Sequence, residues 1–139
     1  MLTLLLNAQI ERKEKRVFVA KNGKPYTIYA VLNTSLTLLA PPNLEPNLSF
    51  SAKILGPDKI WLLETFENQI EEPFLVFGIT DIVLPNQNSF LTPEGVKILL
   101  NNISVNIENF KSCFIVGYFN PKEGLIEAQM VKGVERDSL

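Results

Sequence analysis

The feature that most constrains this chain is a succession of short β-branched and aromatic runs, each closed by a turn signal. "RVFVA" and "PYTIYAVL" flank "KNGK". Asn-Gly between two such runs is the strongest short hairpin signal, because both residues tolerate positive φ. In the second run Tyr26, Ile28, Ala30 and Leu32 share one face, and Thr27, Tyr29 and Val31 share the other. "LSFSAKIL" alternates in the same way, with Phe50, Ala52 and Ile54 opposite Ser49, Ser51 and Lys53. "GPDK" is a turn with Pro57 at its second position, and "IWLLETF" pairs back across it.

The remaining segments extend the pattern. "LTLLLNAQI" opens the chain as a strand covered on both faces, and "PPNLEPN" is a proline-rich loop. "SLTLLAPP" either continues the preceding strand or starts another. "FLVFGITDIVL" is a long strand with Gly78 as a bulge or bend. "SCFIVGYF" and "GLIEAQMVKGV" bracket the turn "NPKEG", whereas "SVNIENF" fits either a strand or a loop.

One helix is expected, in "LTPEGVKILLNNI". Thr92 suits an N-cap, Pro93 the first helical position and Glu94 the first turn. Val96, Leu99, Leu100 and Ile103 follow helical spacing. The expected fold is therefore all-β with one late helix: a small antiparallel barrel of about seven strands, in meander or Greek-key order. Closure into a barrel removes exposed strand edges; a sandwich with a helical cover is the rival. One domain is expected over residues 1–134, followed by a frayed tail at 135–139.

Composition excludes much chemistry. The chain has 139 residues, one cysteine and no histidine. Ser-His-Asp and Cys-His catalysis are ruled out, as are histidine-ligated zinc sites, and a lone cysteine cannot supply a thiolate cluster. Cys113, in "CFIVGYF", reads as a small buried hydrophobe. Glu71-Glu72, beside Pro73, reads as a solvated acidic turn, and Asp81 as an outward-facing strand residue. No phosphate-cradling glycine loop is present. We therefore expect no catalytic residue, no metal and no cofactor. No segment has the length of a signal h-region or a membrane span, and the expected location is the cytoplasm, without membrane contact.

Charge is uneven. The net charge is −2. Residues 1–25 nevertheless carry six cations (Arg12, Lys13, Lys15, Arg16, Lys21 and Lys24) against Glu11 and Glu14, a local excess of four. Phe18, Tyr26 and Tyr29 interleave with them. Aromatic faces beside cations are what a single-stranded nucleic acid requires, because bases stack on rings and phosphates pair with Lys and Arg. Arg16 and Phe18 fall on one side of their strand. Tyr26 and Tyr29 lie on opposite faces, so at most one shares a platform with Phe18. Trp61 fits either the core or a stacking platform.

The basic run Arg12 to Arg16, followed by Gly23, Lys24, Pro25 and Tyr26, resembles the opening of oligonucleotide-binding (OB-fold) barrels that coat single-stranded DNA. It is similar to bacterial single-strand binding proteins and to filamentous-phage helix-destabilising proteins over residues 2–66. The expected helix comes later than in a minimal barrel of that type. The resemblance implies binding of single strands with little sequence preference, and a homo-oligomer.

Two functional expectations follow. The first is a non-catalytic module that binds single-stranded DNA or RNA through Arg12, Lys13, Lys15, Arg16, Phe18, Lys21, Lys24, Tyr26, Tyr29 and Trp61. The second is a protein–protein interaction or assembly subunit. It rests on "FLVFGITDIVL" and "SCFIVGYF", which hold more apolar residues than one half-exposed sheet requires.

Overall fold

A computed structural model describes residues 1–101 and 103–134. Its strands are β1 (Leu2–Arg12), β2 (Phe18–Val19), β3 (Pro25–Val31), β4 (Thr37–Ala40), β5 (Asn47–Gly56), β6 (Lys59–Phe66), β7 (Leu75–Asp81), β8 (Ser89–Leu91), β9 (Lys97–Leu99), β10 (Ser112–Asn120) and β11 (Leu125–Val134). A single 3-10 turn, Ile107–Asn109, is the one helical element among the described residues.

β1 is the pivot of the molecule. Its body pairs with β5, from Thr3↔Lys53 to Gln9↔Asn47. Its last residues pair with β3, from Ile10↔Val31 to Arg12↔Tyr29. β3 then joins β4, β4 joins β6 in parallel, and β6 joins β5. The ring β1–β3–β4–β6–β5 thus closes on itself as a five-strand barrel, compatible with an OB-like fold. The period-two pattern sets what it contains. Leu2, Leu4 and Leu6 of β1, Val31 of β3, Leu38 of β4, Phe50 and Ile54 of β5 and Ile60 of β6 are all buried. Each such side chain stabilises the fold by about 1.5–3 kcal/mol. A slip of one residue would turn every one of them outward, which fixes the register.

At its start β1 has a different second neighbour, β7, through Leu2↔Gly78 to Leu4↔Val76. The sheet therefore leaves the barrel and continues as β7–β10–β11–β9–β8. Leu4, Val76, Gly117 and Ala128 form one buried row across this junction. Gly78 is a close-approach residue rather than a bulge. Its φ is +141° and a Cβ there would run into the Met1 carbonyl.

The expected helix is instead the β8–β9 hairpin. Thr92 does cap, but it caps a turn: its hydroxyl accepts from the Val96 amide at 3.1 Å. The Gly95 amide donates to the Thr92 carbonyl at 2.9 Å, with Gly95 at φ +86°. Beyond Gly95, burial alternates through Val96, Ile98 and Leu100. A helix this short is marginal in water, whereas as a strand Lys97–Leu99 gains a parallel partner in β11. Period two therefore prevails over the helical spacing. With this hairpin and "SLTLLAPP" forming a separate strand, β4, eleven strands stand among the described residues where about seven were expected. "SVNIENF" is the loop that carries the 3-10 turn, capped by Asn106, whose side-chain oxygen accepts from the Glu108 amide at 3.1 Å. Asn102 and the expected tail at 135–139 lie outside the described residues.

Candidate nucleic-acid interface

The β2–β3 hairpin turns through Ala20–Lys24. The Gly23 amide donates to the Ala20 carbonyl at 2.9 Å, and Gly23 alone takes the positive φ that both Asn22 and Gly23 could tolerate. The hairpin pairs Phe18 with Tyr26. Their rings stack on the outer side, with centroids 5.5 Å apart and planes 28° apart. The Arg16 guanidinium lies 5.6 Å from the Phe18 centroid. Trp61, on β6, meets Tyr26 from the other direction at 5.0 Å with a 53° tilt. Arg16, Phe18, Tyr26 and Trp61 thus form a continuous run of contacts, and all four are at least partly exposed. Trp61 therefore belongs to the outer wall and not to the core.

The loop between β1 and β2 is held from several directions. Arg12 donates through Nε to the Glu14 carbonyl at 2.9 Å and through Nη2 to the Lys15 carbonyl at 3.0 Å. The fully buried Thr27 hydroxyl lies 3.0 Å from the Glu14 carbonyl and 2.9 Å from that of Arg16. The Lys13 amide donates to the Ile28 carbonyl at 2.8 Å. Arg12 therefore spends donors on shaping the loop. Lys13 and Lys15 on the loop, and Lys21 and Lys24 at the hairpin tip, are exposed. Among the described residues the one ion pair is Arg16–Glu14, at 3.3 Å. Hydrogen bonding to Arg16 is the main reason the Glu14 carboxyl sits below its usual pKa.

Tyr29 does not join this wall. It is buried inside the barrel, where its hydroxyl donates to the Pro41 carbonyl at 2.8 Å and accepts from the Leu44 amide at 3.3 Å. The reason is parity: Tyr29 shares a face with Thr27 and Val31, and that face is the interior. One cation was missed. Lys53 stands opposite Trp61 in the β5–β6 register and is exposed. Counting back from the "GPDK" turn would set Ile54 against Trp61; an irregularity between Ile54 and Gly56 shifts the register by one residue, so the turn alone did not carry that signal.

Ring faces can hold bases, and the exposed lysines beside them can hold phosphates. An open cleft of about 830 Å³ on another part of the surface has a different chemistry. It is lined by amides such as Asn7, Asn43 and Gln69, with Glu45 and Glu67 and no cation, so it does not suit a polyanion. Cys113 is buried, and burial pushes its thiol up to about 11, away from thiolate reactivity. Asp81 is exposed, as read from the sequence. Glu72 accepts from the Tyr118 hydroxyl at 3.1 Å, and this bond raises the Tyr118 pKa. Among the described residues no three His, Cys, Asp or Glu side chains gather as a metal site, and no helix is long and apolar enough to cross a membrane.

No protein-family model matches the chain, and no curated protein matches its sequence.

Proposed function

We propose that this chain is a non-catalytic nucleic-acid-binding module that takes single-stranded DNA or RNA with little sequence preference. In this it is like the bacterial and phage single-strand binding barrels it resembles. The observation that carries the reading is the run Arg16–Phe18–Tyr26–Trp61 on the outer wall of a small closed barrel, flanked by lysines that form no ion pair among the described residues. Rings accept any base, because every base has a π-face, and lysines accept any phosphate. Neither element reads a base edge, so sequence preference is low. The overall negative charge is no obstacle, since phosphate contacts need local positive charge.

The test is an anisotropy titration of a labelled single-stranded oligonucleotide at two salt concentrations. Binding should weaken with salt, with log affinity falling by ~0.7 per phosphate neutralised. Replacing Lys13, Lys15, Lys21 and Lys24 with Glu should abolish it. Binding that survives that replacement would move the site elsewhere, and no binding at low salt would remove the proposal. The second reading, a protein-assembly role, is favoured by the exposure of Phe77, Ile79 and Met130 on the second half of the sheet.

A further inference from the structure

A single row of paired residues crosses the whole outer surface: Ile28, Leu39, Trp61 and Lys53 on the barrel, then Thr3, Phe77, Val116 and Met130. Its second half is the centre of an apolar face on β7, β10 and β11. Along the strands, the neighbouring row on one side is Ile79, Phe114 and Lys132, and on the other Leu75, Tyr118 and Glu127. Phe77 is 36% exposed, Met130 46% and Ile79 52%, which is high for large apolar side chains that face outward together.

In the two rows flanking Val116 the charges are arranged antisymmetrically about it, while Asp81 and Glu72 lie further out on β7 and the loop before it. Lys132 is one row to one side of it and Glu127 one row to the other, both on β11. A two-fold axis through Val116, lying in the face and running across the strands, would reverse strand direction while keeping each strand over its own copy. Lys132 would then meet Glu127 of a second molecule, and Glu127 would meet Lys132. Ile79 would lie over Leu75, Phe114 over Tyr118, and Phe77 and Met130 over their own copies. The other in-plane axis, parallel to the strands, would set Ile79 against Lys132 and leave the charges unpaired.

We propose that the outer face of β7–β10–β11 is an isologous dimer interface between two copies of this chain, centred on Val116 and framed by two Lys132–Glu127 pairs. An isologous contact requires a self-complementary patch, and this face has that property in its apolar centre and in the Lys132–Glu127 pair that flanks it. The patch spans few rows, so it sits at the low end of specific interfaces. The proposal does not depend on nucleic-acid binding and is tested without it.

The experiment is sedimentation velocity of the full chain over a concentration series, with circular dichroism as the folding check. The wild type should shift from monomer to dimer as concentration rises. Ile79→Lys should remain a monomer throughout. Lys132→Glu alone, and Glu127→Lys alone, should each weaken the dimer roughly tenfold by setting like charges together. The double variant K132E/E127K should recover the wild-type dissociation constant. A wild type that stays monomeric across the series would overturn the proposal. So would a dimer indifferent to Ile79→Lys, and a double variant no better than the singles would overturn the Val116-centred pairing.

Discussion

Two stretches of one continuous row differ in what they offer. On the barrel the row runs from Ile28 and Leu39 to a ring beside a cation: Trp61, which lies against Tyr26 outside the row, and Lys53, next in register. Past β1 the same row carries Phe77, Val116 and Met130, and charge is found only in the rows beyond it. Both halves expose apolar surface. The difference is that positive charge sits within the first and at the margin of the second. Rings among cations favour a polyanion, whereas an apolar centre with a balanced charged frame favours a protein surface. One sheet can therefore present two binding chemistries without a change of fold.

The two faces can be separated by variants that touch one of them. The largest effect is expected from Phe18→Ala with Tyr26→Ala. Each lost stack costs about 1–3 kcal/mol, so the double variant should bind single strands on the order of 10³-fold more weakly. Its sedimentation should be unchanged, and a loss of dimer in this variant would show that the two faces are not independent. Next comes Tyr29→Phe. Removing the buried hydroxyl strands its partners and should lower stability by about 1–2 kcal/mol in a denaturant melt. Oligonucleotide affinity should stay the same, because Tyr29 lies inside the barrel. Smaller again is Lys15→Ala, which should reduce the slope of log affinity against log salt by ~0.7 if Lys15 meets one phosphate.

The smallest effect concerns Glu14, whose carboxylate occupies Arg16. Its folded pKa is depressed, so the ion pair is complete at neutral pH and is lost as pH falls through that lowered value. Protonation then frees Arg16. Affinity for single strands should rise slightly at the acidic end of a pH titration, and Glu14→Gln should show that gain at neutral pH and flatten the profile. Glu11→Gln removes one charge from exposed Glu11, which has no ion-pair partner among the described residues, and should leave the pH profile intact.

Much of the barrel was legible because its signals are local. "KNGK" and "GPDK" fix two hairpins, and alternation in "PYTIYAV" assigns Tyr26 outward and Tyr29 inward once the interior is known. Sequence alone offered no way to say which face was interior, so Tyr29 stayed among the candidates. The β8–β9 hairpin was illegible for a different reason. Val96, Leu99, Leu100 and Ile103 satisfy helical spacing, while Val96, Ile98 and Leu100 satisfy strand spacing, and the parallel partner that decides between them is β11, nearly thirty residues onward. The contact of Trp61 with Tyr26 is also non-local, because β4 lies between their strands and pairs in parallel with β6. The same is true of the row through Val116, which exists only once seven strand pairings are known.

Trp61 is the one tryptophan in the chain and stands in the wall itself, so its emission reports on the proposed site without a label. The decisive measurement is its fluorescence during titration with an unlabelled single-stranded oligonucleotide at low salt. Saturable quenching is expected, reversed when salt is added and lost in the F18A/Y26A variant. Emission that stays constant while the oligonucleotide is shown to bind, or quenching that the ring variant leaves untouched, would contradict the proposed site.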